Sequence, residues 1–192
     1  MLSLIILAAG KSTRMRGRNK LLTKIEGKPM IRRVVEAALN SKVDEVIVVL
    51  GWEAEKIGKA LGDLPCRYVV NKEYERGQSS TVKVGLGEVG DVTRAILVLP
   101  GDVAMIDSRS INLVVDEYDQ GKYPIVIAAF KGKLGHPILL DKRLFGEIEQ
   151  INEQTFGLKS VVQKHEDEKR LVETDTPNVL RDVDTPEDLS KL

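Results

Sequence analysis

Residues 1–20, MLSLIILAAGKSTRMRGRNK, decide how the rest of the chain is read. Leu2 to Leu7 is an uninterrupted apolar run that stops at Ala8-Ala9-Gly10, where side chains shrink and charge begins. A short run of this kind predicts a strand buried on both faces of a parallel sheet. The loop behind it carries Gly10, Ser12, Thr13 and Gly17 among five cations, Lys11, Arg14, Arg16, Arg18 and Lys20. Small residues allow backbone N–H groups to approach a ligand, and crowded cations repel one another unless something anionic sits among them. A strand that delivers such a loop to the carboxyl edge of an α/β sheet is where nucleotides bind. A solvated basic turn is the plainer alternative. Gly10-Lys11-Ser12 is not the end of a P-loop, because the glycine that motif needs five residues earlier is Ile5.

The segments that follow repeat one pattern. Pro29 opens a helical stretch through Met30, Ile31, Val34, Val35, Ala38 and Leu39. Strands are expected at 45–50, 66–70, 94–99 and 125–130, with helices at 53–61, 79–89 and 108–119 between them. Strands alternating with helices predict right-handed βαβ units, and hence a three-layer α/β/α fold with a mostly parallel, Rossmann-like sheet. Beyond Gly132 the pattern weakens to a short extended piece at 136–140, helices at 142–151 and 156–164, a brief strand at 171–173 and a last helix begun by Pro186. No internal repeat or low-complexity linker divides the chain. The expectation is one domain over 1–192, with a nucleotide-binding part to about residue 105 and an acceptor-binding part from about 106.

Composition excludes several classes. A chain of 192 residues with 42% apolar content can bury one core. Lys plus Arg and Asp plus Glu number 29 each, so no net field draws the chain to nucleic acid or to an anionic membrane. The sole cysteine, Cys66, leaves no intramolecular disulfide and no zinc spacing. The N-terminal run is too short for a membrane span and lacks the flanks of a signal peptide. A reducing cytoplasm is the expected setting.

Two acidic positions stand out. Asp102 follows the run Ala95-Ile96-Leu97-Val98-Leu99 and the turn Pro100-Gly101, which puts its carboxylate at the same sheet edge as the first loop. Asp182 and Asp184 precede the last helix in Arg181-Asp182-Val183-Asp184-Thr185-Pro186-Glu187-Asp188-Leu189. One or two carboxylates with phosphate oxygens suit Mg²⁺. Each also has an ordinary role, Asp102 in a Gly-Asp turn and Asp184 as a helix cap.

Leu7-Ala8-Ala9-Gly10-Lys11-Ser12-Thr13-Arg14-Met15 with Lys20-Leu21-Leu22 resembles the opening motif of nucleotidyltransferases. It is most similar to that of the molybdenum cofactor cytidylyltransferases and guanylyltransferases, with one extra residue, Arg16, between Met15 and Gly17. The resemblance continues at Gly77 to Leu86, Pro100 to Asp102, Gly135-His136-Pro137 and Asp182 to Leu189. It implies a fold like that of the nucleotide-diphospho-sugar transferases and a reaction that moves CMP from CTP to the terminal phosphate of molybdopterin, releasing pyrophosphate. Leu7, Ala8, Ala9, Gly10, Lys11, Ser12, Lys20, Ser79 and Ser80 would meet the nucleotide. Asp102 and Asp184, with Asp182 in reserve, would hold Mg²⁺. Lys20, Arg14 and Asp102 would be catalytic, and His136 would touch the acceptor. Ser79 or Ser80 could equally serve only to cap a helix. The family's guanylyltransferases carry glycine where Ala9 stands, and a methyl there narrows the base pocket, so CTP is expected over GTP. The chain departs from the family at Asn152 to Lys159, where an aspartate and a cation are usual. Other phosphorylated acceptors, such as sugar or polyol phosphates, and a nucleotide-binding regulator without turnover therefore stay open.

Overall fold

The computed structural model describes residues 1–15 and 17–190, so Arg16, the extra residue of the first loop, lies outside the described residues. Nine strands form in chain order: β1 (Leu2–Ala8), β2 (Lys24–Ile25), β3 (Lys28–Pro29), β4 (Glu45–Leu50), β5 (Arg67–Val70), β6 (Ala95–Pro100), β7 (Ile125–Phe130), β8 (Lys133–Asp141) and β9 (Lys169–Glu173). Helices α1 (Met30–Leu39), α2 (Ala54–Leu61), α3 (Gln78–Gly87), α4 (Ser108–Gly121), α5 (Phe145–Ile148), α6 (Leu158–Lys164) and α7 (Pro186–Leu189) connect or flank them. Seven strands make one sheet in the order β5-β4-β1-β6-β8-β7-β9, and β2 pairs with β3 in a separate small hairpin.

The sheet is parallel except around β8, which runs antiparallel to both β6 and β7. β1 lies at its centre, paired with β4 on one side and β6 on the other. That position explains why β1 is apolar on both faces. Leu4 and Ile6 enter the layer formed with α1, α2 and α4, while Ile5 enters the layer with α3, α5 and α6. All three are 0% exposed, and each such side chain contributes on the order of 1.5–3 kcal/mol by leaving water. Gly85 lets α3 lie close against the sheet. A Cβ there would fall 2.4 Å from Ile5 Cγ2 and 3.0 Å from Val49 Cγ2.

The three-layer α/β/α reading of the sequence is what the chain forms. The differences lie in the last third. The piece expected at 136–140 is part of a nine-residue strand, β8, which is inserted between β6 and β7. Its first two residues are exposed, so only its second half carries an apolar signal. The helix expected at 142–151 is a 3₁₀ turn at Lys142–Leu144 followed by the short α5. The β2–β3 hairpin was not expected at all, and two-residue strands leave no periodicity to read. Among the described residues, no helix is long and apolar enough to cross a membrane.

Candidate active site

The carboxyl ends of β1 and β6 adjoin, because Gly101 N donates to Leu7 O at 2.9 Å. A Cβ on Gly101 would sit 3.0 Å from that oxygen and from Ile31 Cδ1, so glycine is the residue that lets the two strand ends touch. After β1 the chain makes 3₁₀ turns at Thr13–Met15 and Lys20–Leu22. Asn19 caps the second by accepting from Leu21 N at 3.1 Å. Ser12, with φ 52°, closes the loop on itself: its Oγ accepts from Lys20 N at 3.2 Å and its carbonyl from Met15 N at 2.9 Å. The effect is to return the Lys20 side chain to the sheet edge.

The C-terminal acidic segment arrives by a different route. Val103 and Asp182 form an isolated antiparallel bridge, and Val183 N donates to Asp102 O at 3.0 Å. This backbone pairing brings Asp184 to Asp102. The Lys20 ammonium donates to Asp102 Oδ2 and, at 2.9 Å, to Asp184 Oδ1. Arg14 donates to the other oxygen of Asp184. Asp102 Oδ1 is sealed from solvent and has no hydrogen-bond partner among the described residues.

The electrostatics follow from this arrangement. Burial alone would depress the Lys20 ammonium, but Asp102 and then Asp184 outweigh it and hold the group above its ordinary value. The hydrogen bond from Lys20, helped by its charge and by Arg14 and opposed by burial, holds Asp184 below the usual carboxylate range. Asp182 shows the opposite: burial, then the charges of Asp102 and Asp184, push it up to about 6 against the pull of Lys20. Two carboxylates thus bond the Lys20 ammonium, and Asp182, which feels only its charge, is the one that resists ionising.

Two cavities open at this edge. The first, of about 290 Å³, is lined by Leu7, Ala9, Gly10, Ser12, Arg14, Lys20, Asp102 and Asp184 among the residues singled out from the sequence. The second, of about 240 Å³, includes Ser79 and His136 and shares Gln78 and Pro100 with the first. Burial pushes the His136 imidazole down to about 4, against the charge of Asp102, so the ring is neutral near pH 7. Its Nδ1 and the Ser79 hydroxyl are both buried without partners among the described residues.

Some expected residues are elsewhere. Lys11 pairs with Glu75, and neither it nor Ala8 lines the first cavity. Ser80 lines neither cavity; its hydroxyl accepts from Asn71 Nδ2 at 2.9 Å and donates to Gly77 O at 2.8 Å. Neither serine caps α3, whose N-cap is Gly77 without a side-chain bond. Gln78 and Thr81 take the places on the first cavity. Their spacing of three residues put them on one helical face, a signal present in the sequence. The Ala9 methyl also packs inward: a Cβ built on Gly51 would come within 2.7 Å of it, and Ala9 O accepts from Trp52 N at 3.0 Å. The division near residue 105 does not separate the cavities, since Asp184 lines the first and Ser79 the second.

A glycine-bearing loop, two carboxylates and a lysine at the carboxyl edge of β1 and β6 define a nucleotide-diphospho-sugar transferase-like α/β protein. The chain belongs to the family of the MobA-like NTP transferase domain, whose model matches residues 4–169. The match ends before Asp182 and Asp184. The bifunctional protein GlmU of Alkalilimnicola ehrlichii is 37% identical over 121 residues, 62% of this chain and 26% of that protein. The chain therefore spans about a quarter to a third of the length of the curated relatives it matches. Among solved structures, Rv0371c of Mycobacterium tuberculosis superposes with a TM-score of 0.86 at 22% identity, over 99% of this chain and 96% of that one. A manganese complex of Rv0371c gives 0.79. A nucleotidyl transferase from Methanothermobacter, Mth528, gives 0.85 at 22% identity, over 100% and 95% of the two chains.

Proposed function

We propose that the chain is a divalent-metal-dependent nucleotidyltransferase that moves CMP from CTP to the terminal phosphate of molybdopterin. The observation that carries the transfer reading is the Lys20 ammonium held between Asp102 and Asp184 on the wall of the first cavity. Among the described residues, no group of three or more His, Cys, Asp or Glu side chains is placed to hold a metal alone. The site nonetheless fits Mg²⁺, which needs only one or two carboxylates when phosphate oxygens complete its shell. The unpartnered Oδ1 of Asp102 is an acceptor suited to that role.

Asp102 and Asp184 would hold the ion, which when bound supplies positive charge to the phosphate oxygens. Lys20 would then exchange its carboxylate partners for an α-phosphate oxygen, and Arg14 would meet the β- and γ-phosphates. Gly10 and Ser12 offer backbone N–H groups beside them. An oxygen of the acceptor phosphate forms a bond to the α-phosphorus as the bond to the pyrophosphate oxygen breaks in line with it. Such a transfer depends on positioning and charge stabilisation, and needs no side-chain nucleophile. His136, neutral and half-buried in the second cavity, would donate or accept a hydrogen bond to the acceptor.

Two features support the finer choices. The second cavity is walled largely by apolar side chains, including Val82, Val98, Ile127 and Val162, and this favours a flat ring system such as a pterin over a sugar rich in hydroxyls. Ala9 acts on the base through its backbone: pinned against Gly51 and Trp52, it cannot yield to a purine as glycine could. Titrating CTP and GTP separately with Mg²⁺ in a calorimeter tests that choice, and GTP binding as tightly as CTP would refute it. Sugar phosphates offered in place of molybdopterin test the acceptor.

A further inference from the structure

The turn of residues 152–157, where the chain departs from the pattern of its family, shapes the mouth of the second cavity. Asn152 and Thr155 form a capping box. Phe156 then takes the left-handed conformation with φ 63°, which is uncommon for a bulky side chain. Three backbone bonds fix it there: Phe156 N to Glu153 O at 3.3 Å, Gly157 N to Asn152 O at 2.9 Å and Thr155 N to Asn152 O at 3.2 Å. The conformation brings a ring that is 73% exposed to the cavity wall. Leu134, 48% exposed, borders the same cavity.

The turn is also fastened to the nucleotide side. Glu153 Oε1 accepts from Ser79 N at 2.7 Å, in the first turn of α3. Two glycines permit that contact. A Cβ on Gly77, whose φ is +98°, would fall 2.5 Å from Glu153 side-chain carbons, and one on Gly157 would fall 3.0 Å from Ser79 Oγ. The helix so engaged places Gln78 on both cavities.

We infer that Phe156 is a specificity-determining residue whose ring stacks on a flat heterocycle of the acceptor, and that Glu153 is the residue that positions it by tying the 152–157 turn to α3. The inference rests on the transferase reading above and sharpens the acceptor class within it. An exposed aromatic beside an apolar cavity offers a ligand's ring an offset-stacked or edge-to-face partner. Two groups that line this cavity, His136 Nδ1 and Ser79 Oγ, are buried without a partner among the described residues and would bond polar atoms on the edge of such a ring.

The test compares Phe156→Ala, Phe156→Asn, Phe156→Trp, Glu153→Ala and Glu153→Gln with the wild type, using molybdopterin and glucose 1-phosphate as acceptor probes and CTP as the nucleotide probe. Phe156→Asn is included because Asn tolerates the left-handed conformation and so removes the ring while keeping the turn. Loss of the ring in either variant should weaken molybdopterin binding roughly ten- to a hundredfold, as loss of a stacking aromatic does elsewhere, and leave CTP binding within about twofold. Phe156→Trp, which keeps a flat ring, should keep binding close to that of the wild type. Glu153→Ala should raise the acceptor KM with little change in kcat, and Glu153→Gln, which keeps an accepting oxygen, should rescue it. Molybdopterin binding that survives loss of the ring, or that is absent in the wild type while glucose 1-phosphate binds, overturns the inference. Failure to bind CTP instead strikes at the transferase reading, while molybdopterin binding still decides the role of Phe156.

Discussion

Replacing Lys20 with alanine should change metal binding and turnover in opposite directions. In the free protein the ammonium satisfies Asp102 Oδ2 and Asp184 Oδ1, so a cation that binds these carboxylates must first displace it. Hydrogen bonds between charged groups contribute about 1.5–3 kcal/mol each. The Lys20 and Asp102 side chains are 16% and 17% exposed and that of Asp184 is 43%, which places the pair at the low end, about 3 kcal/mol for both. If half to all of this opposes the metal, its removal tightens Mg²⁺ binding to the nucleotide-free protein by roughly ten- to a hundredfold. Turnover should fall by roughly a hundredfold or more, because a charge aimed at the transition state is lost. Calorimetric titration of MgCl₂ into both proteins, with thermal midpoints measured at matched Mg²⁺, reads the first effect. A tighter site must also raise the variant's midpoint as Mg²⁺ increases. Mg²⁺ affinity unchanged or weaker in Lys20→Ala would show that Lys20 does not occupy the metal's place, and turnover unchanged with only a raised KM would remove its role in the transition state.

Asp102→Asn should abolish transfer, by about a thousandfold or more, with the fold intact; a variant that keeps most of its Mg²⁺-dependent turnover would contradict the metal assignment. Gly85→Val should force α3 away from Ile5 and Val49, costing at least about 2 kcal/mol and lowering the midpoint by roughly 4–8 °C, and a midpoint equal to the wild type would mean that the helix can shift freely. His165 bonds Glu168 at 2.8 Å and Glu147 at 3.1 Å, and these carboxylates raise its pKa against a burial effect of opposite sign. A raised histidine contributes stability that is complete below its unfolded value and is lost as pH rises through the folded one. His165→Gln should therefore lower the midpoint near pH 6, by the equivalent of less than about 1 kcal/mol at this partly exposed site, and leave it unchanged near pH 9. An equal effect at both would assign the residue a packing role alone.

The central strands were legible because β1, β4, β6 and β7 are buried on both faces, and a continuous apolar run has few other readings. β8 was read short because its exposed start, Lys133 and Leu134, gives no alternation. In the site, Asp102 could be placed because it follows the end of β6 by two residues, and Lys20 through the resemblance of residues 7–22 to a family motif. Their union with Asp184 is implied by the resemblance alone and by no local pattern, since it depends on the Val103–Asp182 bridge between distant segments. The crowded cations of the first loop were read as waiting for an external anion. Three of them find carboxylates within the chain: Lys11 on Glu75, Arg14 on Asp184, and Lys20 on Asp102 and Asp184. The position of Ser80 off both cavities had no sequence signal for a related reason, because its bonds to Asn71 and Gly77 depend on where β5 ends. Phe156 is expected at the start of a helix over 156–164, but the helix begins at Leu158, because the capping box of Asn152 and Thr155 and the backbone bonds around it hold Phe156 in a left-handed turn.

The most direct test of the account is the product of one incubation. Purified protein with CTP, Mg²⁺ and molybdopterin should release pyrophosphate in equal amount to CMP joined to the acceptor, only when all three are present, and Asp102→Asn should release none. Wild-type protein that yields no pyrophosphate with any triphosphate and any phosphorylated acceptor, while still binding CTP in the first cavity, would contradict the assignment of transfer to the Lys20–Asp102–Asp184 site.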